Sequence, residues 1–362
     1  MSAADVAPLD AEGFANLMAP FAPFESTPEV AVAVSGGRDS LALALLALDW
    51  TRARGGRAVA LIVDHGLRAE SAAEAAGTLQ RLAGLAIDGI VLRWSGAKPG
   101  TGLQEAARSA RYRLLGAECR RRGILHLLVA HHAEDQAETV RMRADRDSGA
   151  DGLAGMAALV EFPEMRLLRP LLTVSRARLT ATMVARGVRW IDDPSNTDPR
   201  FERARLRLRG YSSPNSCPLP SEAGEERAYR ERQLAHAAVE AVGFDEAGQA
   251  AVDRTGFARL DSALQARLLS RLVQRIGGRD HPPRRDRLER AAARLAQHAA
   301  GRGKSGRGQD FTLSRCRLLL RQVPSSPGLR WLVRPENGET AAQPLVPAAF
   351  FACGAAANDH LQ

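Results

Sequence analysis

Six consecutive residues, Ser35-Gly36-Gly37-Arg38-Asp39-Ser40, bring together two hydroxyls, two glycines and a carboxylate. That set suits a phosphate group. Glycine lets the backbone approach a ligand closely because no Cβ intervenes. Ser35 and Ser40 add hydroxyl donors, and Asp39 is able to hold Mg2+ or a cationic substrate group. A second cluster is His131-His132-Ala133-Glu134-Asp135-Gln136-Ala137-Glu138-Thr139. On a helix Glu134 and Glu138 are i,i+4 neighbours, and Asp135 and Glu138 are i,i+3. Carboxylates so placed beside a polyphosphate offer a seat for Mg2+ or an ammonium; the competing reading is a helix start whose acids complement its dipole. Adjacent His131 and His132 do not share a helix face, and the H-E-x-x-H spacing of zinc sites is missing.

Two further clusters carry charge. Asp64-His65-Gly66 ends an apolar run, where an acid either meets the ribose or adenine side of a nucleotide or closes a turn. The run Ala107-Arg108-Ser109-Ala110-Arg111-Tyr112-Arg113 places guanidiniums on a helix, and Arg113 is a candidate for neutralising a phosphoryl transition state. After the polar turn Asp192-Asp193-Pro194-Ser195-Asn196 comes an arginine at every second position: Arg203, Arg205, Arg207 and Arg209. These suit RNA or triphosphate. The single Gly-Lys-Ser triplet, Gly303-Lys304-Ser305, has His298 where a Walker A loop needs its first Gly and is not a phosphate loop.

Something must position these groups. Residues 30–34 are Val and Ala alternating and read as a buried strand, and residues 41–48 read as the helix that follows the Ser35–Ser40 turn. Strands are expected over 57–63, 89–94 and 124–130, and helices over 69–85, 103–122 and 133–144. Alternation of this kind predicts an α/β fold: a parallel sheet with helices on both faces. Ligands bind such sheets beyond the carboxyl ends of the strands. Ser35–Ser40, Asp64–Gly66 and His131–Glu138 all fall there, which points to one site.

The expected organisation is a catalytic domain over 1–208, a Gly/Ser/Pro-rich linker over 209–225, a mainly helical basic domain over 226–340, and an unpatterned tail over 341–362. Helices are expected over 225–241, 262–276 and 287–299. A strand is expected over 311–321, with 329–333 as its partner. The net charge is +9. Between positions 275 and 321, thirteen Lys and Arg stand against four Asp and Glu, so a polyanion is expected to touch the second half. No apolar run reaches the length of a membrane span. Cys119, Cys217, Cys316 and Cys353 are scattered with no C-x-x-C pair, which suits a reducing cytoplasm and argues against zinc ribbons.

Taken together, these residues resemble the tRNA(Ile)-lysidine synthase family of the PP-loop ATP pyrophosphatases. The matching pieces are Ser35–Ser40, Val63-Asp64-His65-Gly66-Leu67-Arg68, Ala107–Tyr112, the Asp135-Gln136-x-Glu138-Thr139 motif, Gly152-Leu153-x-Gly155-Met156, Arg169-Pro170-Leu171-Leu172 and Trp190–Arg207. They span roughly residues 28–208, in family order. The resemblance implies an ATP- and Mg2+-using ligase that acts on tRNA(Ile) with a CAU anticodon and on free L-lysine, with a homodimer as an open expectation. It implies nucleotide contacts from Ser35, Gly36, Gly37, Arg38, Asp39, Ser40 and Asp64, with Asp39 as the Mg2+ ligand. Catalytic roles are implied for Asp39, Asp135 and Arg113, and substrate contacts for His132, Glu138, Arg203, Arg205 and Arg207. The alternatives are a tRNA thiolase of the same superfamily and a non-catalytic RNA-binding homologue.

Overall fold

The protein is described from a computed structural model, over residues 6–145, 153–162, 164–190, 221–245, 249–278, 282–297, 310–322 and 329–336. The chain divides into two units, Met1–Gly224 and Glu225–Leu361.

In the first unit, helix α1 (Ala11–Met18) precedes strand β1 (Glu29–Ala33), helix α2 (Arg38–Arg52) and strand β2 (Arg57–Asp64). Helix α3 (Ser71–Gly84), β3 (Asp88–Arg93), α4 (Leu103–Arg122), β4 (His126–Leu128) and α5 (Ala133–Ala144) follow. A short hairpin of β5 (Leu159–Glu161) and β6 (Arg166–Leu168) and helix α6 (Arg176–Ala185) complete it. The strand order is β3-β2-β1-β4-β6-β5. Every neighbouring pair is parallel except β5 with β6. Val30 to Ala33 are all buried, so β1 is covered on both faces, which is why it reads as a continuous apolar run. Helix α2 is buried almost all round from Ser40 to Leu48, because β1 and β2 lie beneath it and α1 and α6 pack over it. A helix apolar on every side needs such a position. The chain leaves β1 for β2 on one side and returns from β3 to β4 on the other. The crevice where the order reverses therefore lies between β1 and β4, the usual ligand position in such sheets.

The second unit contains α7 (Ser221–Ala241), α8 (Arg254–Arg259), α9 (Ser262–Gly277) and α10 (Arg285–Gln297). It also holds strands β7 (Val242–Phe244), β8 (Ala250–Asp253), β9 (Phe311–Leu313), β10 (Cys316–Gln322) and β11 (Leu329–Pro335). These strands form one antiparallel sheet in the order β7-β8-β11-β10-β9. The apolar stripe of α9, Leu268, Leu269, Leu272, Val273 and Ile276, packs in one core with Leu318, Leu320, Trp331 and Val333 of the sheet.

Helices hold more of the second unit than strands do, and its sheet gains two strands beyond those expected, β7 and β8, which are too short to display a two-residue period. Two expectations need correction here. Residues 311–321 form not one strand but a hairpin that turns at Ser314 and Arg315, both at positive φ (51° and 62°). No Gly, Asn or Asp marks that turn, so the usual hairpin signal is missing. Residues 221–225, expected in the linker, begin helix α7. The rest of that linker, Gly303-Lys304-Ser305 and the tail lie outside the described residues. No helix among the described residues is long and apolar enough to cross a membrane.

Candidate active site

Strand β1 continues its ladder one residue past its end, with Val34 N donating to Leu61 O (2.9 Å). The chain then turns sharply. Gly36 sits at φ +87°, and a Cβ there would lie 2.5 Å from Thr78 Oγ1 on α3. Only glycine fits both the conformation and the space. Ser40 closes the turn from inside: its Oγ donates to Gly37 O (3.0 Å) and accepts from Ser35 N (3.2 Å). The Ser35 and Ser40 hydroxyls are also 3.2 Å apart. The first helical bond of α2 is Leu41 N to Gly37 O, so the N–H groups of Arg38, Asp39 and Ser40 precede the helical ladder. Open N–H groups at the positive end of a helix make an anion seat.

Beside this turn lies a cavity of about 230 Å3 at the carboxyl ends of β1 and β2. Ser35, Asp64, His65, Glu74, Thr78 and Arg111 are among its lining. Asp64 is turned inward, accepting from Gly66 N (2.9 Å). It therefore closes its own turn while facing the cavity. Burial first, then the Arg111 guanidinium, hold the His65 imidazole below its usual range.

On the other side of the turn, in the β1–β4 crevice, three carboxylates surround one buried imidazole. His132 Nε2 lies 3.5 Å from both Asp39 Oδ2 and Asp135 Oδ2. Its Nδ1 forms an ion pair with Glu134 Oε2 at 3.0 Å, outside hydrogen-bond geometry. Asp135 Oδ2 also accepts from His132 N (3.1 Å), which caps α5. Arg38 Nε donates to Asp39 Oδ1 (2.9 Å). Burial works to push the imidazole down, but Asp39, Glu134 and Asp135 outweigh it and lift His132 to about 9. Burial likewise works to raise Asp39, and His132 and Arg38 outweigh it, holding that carboxyl well below the usual range. At neutral pH the cluster is thus an imidazolium among carboxylates.

This has a consequence for stability in the metal-free protein. A histidine raised in the folded state stabilises fully below its unfolded value near 6.5, and the effect is lost as pH rises through the folded value. The unfolding free-energy difference between wild type and His132→Gln is expected to be largest near pH 6 and to shrink by about 3 kcal/mol by pH 10. Denaturant titrations at several pH values measure it; parallel curves would contradict a charged His132.

The predicted site residues divide accordingly. Ser35, Gly36, Gly37, Arg38, Asp39 and Ser40 form the turn, Asp64 lines the cavity beside it, and His132 and Asp135 meet Asp39. Glu138 lies one turn beyond Glu134 on α5 and is fully buried. Arg113 does not line the cavity beside the turn; it lines a different one on the other face of α4. Two residues along a helix is about 200° of rotation, so Arg111 faces the first cavity and Arg113 cannot. Arg203, Arg205 and Arg207 lie outside the described residues.

Several partners escaped the sequence reading. Glu134 accepts from Arg176 N with both oxygens (2.9 and 3.0 Å) and so caps the start of α6, 42 residues away. Gln136 holds the Gly155-Met156 segment by a pair of bonds, donating to Met156 O (3.0 Å) and accepting from Met156 N (2.6 Å). A Cβ on Gly155 (φ +67°) would lie 2.8 Å from Gln136 Oε1. Gln136 and Gly155-Met156 belong to two of the motifs quoted above, and the fold joins them. Arg143 Nη1 donates to Gly155 O (2.9 Å), and Arg169 Nε donates to His131 Nδ1 (3.2 Å).

The second unit has a groove of about 1160 Å3 whose lining includes Arg284, Arg287, Arg290, Arg294 and Arg315. Glu336 is the one acid among its lining residues. Arg290 is tied to Asp286 (2.9 Å), and Arg294 covers the Phe311 ring at 4.6 Å. The described cysteines, Cys119 and Cys316, are buried, and burial pushes both thiols up to about 12, out of reach of thiolate chemistry at neutral pH.

Sheet order, glycine turn and crevice define a PP-loop nucleotide-binding domain, and the profile of the PP-loop domain family matches residues 10–210. A tRNA(Ile)-lysidine synthase of Rhodopseudomonas palustris is 41% identical over 292 residues, covering 78% of this chain and 84% of that one. One from a Bradyrhizobium species is 40% identical over 310 residues, covering 81% and 86%. Among solved structures, the U34-tRNA thiolase NcsA of Methanococcus maripaludis is similar with a TM-score of 0.47 and 16% identity, over 62% of this chain and 79% of that one. The chain belongs to the tRNA(Ile)-lysidine synthase family.

Proposed function

We propose that this chain is an ATP-dependent ligase that joins the ε-amine of L-lysine to C2 of the cytidine at the first anticodon position of tRNA(Ile) bearing CAU. The observation that carries the reading is the meeting of the Gly36 turn with the Asp39–His132–Asp135 cluster at one crevice.

The reaction needs two displacements. A cytidine C2 oxygen is a poor leaving group, so it is first made a good one. It attacks the α-phosphorus of ATP; the new O–P bond forms as the bond to the bridging oxygen breaks, and pyrophosphate leaves. The lysine amine then attacks C2, the C–O bond breaks, AMP leaves and the amine sheds a proton. The N–H groups of Arg38, Asp39 and Ser40 and the Ser35 hydroxyl are the donors the turn offers to the departing pyrophosphate, where negative charge accumulates, while the Ser40 hydroxyl holds the turn through Gly37 O. Arg111, on the lining of the adjoining cavity, adds a positive charge on the nucleotide side. Asp39 and Asp135 fit Mg2+, which is held by one or two carboxylates together with substrate phosphates; no cage of three or more metal-ligating side chains occurs among the described residues. When bound, the ion neutralises phosphate charge as a Lewis acid. The same acidic cluster suits the lysine ammonium, orienting it until it loses the proton that blocks attack. Before the ion binds, the His132 imidazolium offsets the mutual repulsion of Asp39, Glu134 and Asp135. The arginine-lined groove of the second unit supports an RNA partner, whose affinity comes chiefly from its phosphates.

The order of steps gives a direct test. Without lysine, the enzyme with ATP, Mg2+ and CAU tRNA is expected to release about one pyrophosphate per active site and then stall until lysine is added. No release without lysine, or release independent of tRNA, would contradict the sequence of displacements.

A further inference from the structure

Helix α4 has a second working face. Its Arg111 side meets the nucleotide cavity, while Tyr112, Arg113, Gly116, Ala117, Arg120 and Arg121 line another cavity of about 650 Å3, closed by Phe162, Glu164 and Met165 of the β5–β6 hairpin. The Tyr112 and Phe162 rings stack with centroids 6.2 Å apart and planes 17° from parallel. The Arg108 guanidinium also covers Tyr112, at 5.2 Å, so the ring surface left for a ligand belongs to half-buried Phe162. Arg121 is neutralised by Glu118 (2.6 Å). Arg113 and Arg120 are exposed, and among the described residues neither has an ion-pair partner. Seven positions apart, they lie two helical turns from each other on one face.

An aromatic surface flanked by unpaired guanidiniums matches the chemistry of single-stranded nucleic acid: the ring takes a base and the arginines take the phosphates on either side. Glu164 is the one acid among the lining residues, so the net charge favours a polyanion. The position fits as well. Only the width of α4, about 10–12 Å, separates this cavity from the nucleotide side. We infer that the α4–hairpin cavity is a second RNA contact, where an unpaired nucleotide of the substrate stacks on Phe162 and its flanking phosphates pair with Arg113 and Arg120. The inference rests on the reading of the chain as a tRNA-modifying enzyme. It gives Arg113 a substrate-holding role in place of the catalytic one expected from sequence.

Binding of fluorescent CAU tRNA to the full chain, read by anisotropy across a salt series, tests it alongside steady-state turnover. Arg113→Glu with Arg120→Glu is expected to weaken tRNA binding at least tenfold and to reduce the slope of log K against log salt by about 1.4, the contribution of two single-strand phosphates. Phe162→Leu, which keeps the hairpin's apolar contact, is expected to weaken binding about fivefold or more with the salt slope unchanged. KM for ATP should stay constant in both. Unchanged tRNA affinity and salt slope in the double variant would overturn the inference. So would a change in sedimentation with tRNA affinity intact, which would assign the cavity to a protein partner or a second copy of the chain. Wild-type protein that binds tRNA but makes no lysidine would instead count against the proposed reaction, while the affinities would still decide the fate of this cavity.

Discussion

Asp39→Asn is expected to lower the rate of tRNA-dependent pyrophosphate release by about 10³-fold, some 4 kcal/mol of barrier. The substitution keeps the volume and the exposure of the side chain and removes only its charge. Asp39 stands where the turn and the acidic cluster join, held by Arg38 on one side and His132 on the other. That pairing keeps the carboxylate ionised and fixed, as a Mg2+ ligand or ammonium partner must be. The amide offers one neutral oxygen in its place. Asp135 and Glu134 still balance the imidazolium, so the fold should persist and tRNA affinity should stay within a factor of two. Quench-flow measurement of pyrophosphate decides the matter: a loss smaller than tenfold would remove Asp39 from the chemistry.

Gly36→Ala should be nearly as damaging by an unrelated route, with kcat/KM for ATP falling at least 100-fold. Two strains coincide. At φ +87° an L side chain costs about 1–2 kcal/mol. In addition, the new Cβ would meet Thr78 Oγ1, which cannot retreat because it donates to Glu74 O (2.9 Å) within α3. The turn must therefore shift, and with it the N–H groups that meet phosphate, where a displacement of 1 Å is able to cost about 10²-fold. Adding Thr78→Ala separates the two causes: it relieves the contact but leaves the strained φ, so only part of the activity should return. Wild-type ATP affinity in the single variant would show that the turn does not hold the polyphosphate.

Much of this site could be read from residue order alone, for identifiable reasons. The Val-rich run before Ser35 and the Leu/Ala run after Ser40 are apolar on every face, and that is legible because β1 and α2 are buried all round. The three polar clusters were visible as one site because parallel strands bring their carboxyl ends together. What stayed hidden depends on pairings between distant parts of the chain. Glu134 reads in the sequence either as a seat for Mg2+ or an ammonium or as a complement to its own helix dipole, yet its oxygens cap a helix 42 residues later. Arg113 and Arg111 are equivalent as letters and differ only in which face of α4 they occupy, which depends on where the β5–β6 hairpin packs. The sheet of the second unit was half missed, since β7 and β8 are three and four residues long and the β9–β10 turn carries no glycine.

The measurement that bears most directly on the central claim is mass analysis of nucleosides from CAU tRNA after incubation with the protein, ATP, Mg2+ and isotopically labelled lysine. The account predicts a cytidine whose C2 oxygen has been replaced by the labelled lysine ε-nitrogen, formed with one AMP and one pyrophosphate per event and not formed by Asp39→Asn. Unmodified cytidine at the first anticodon position, with ATP cleaved or not, would contradict it.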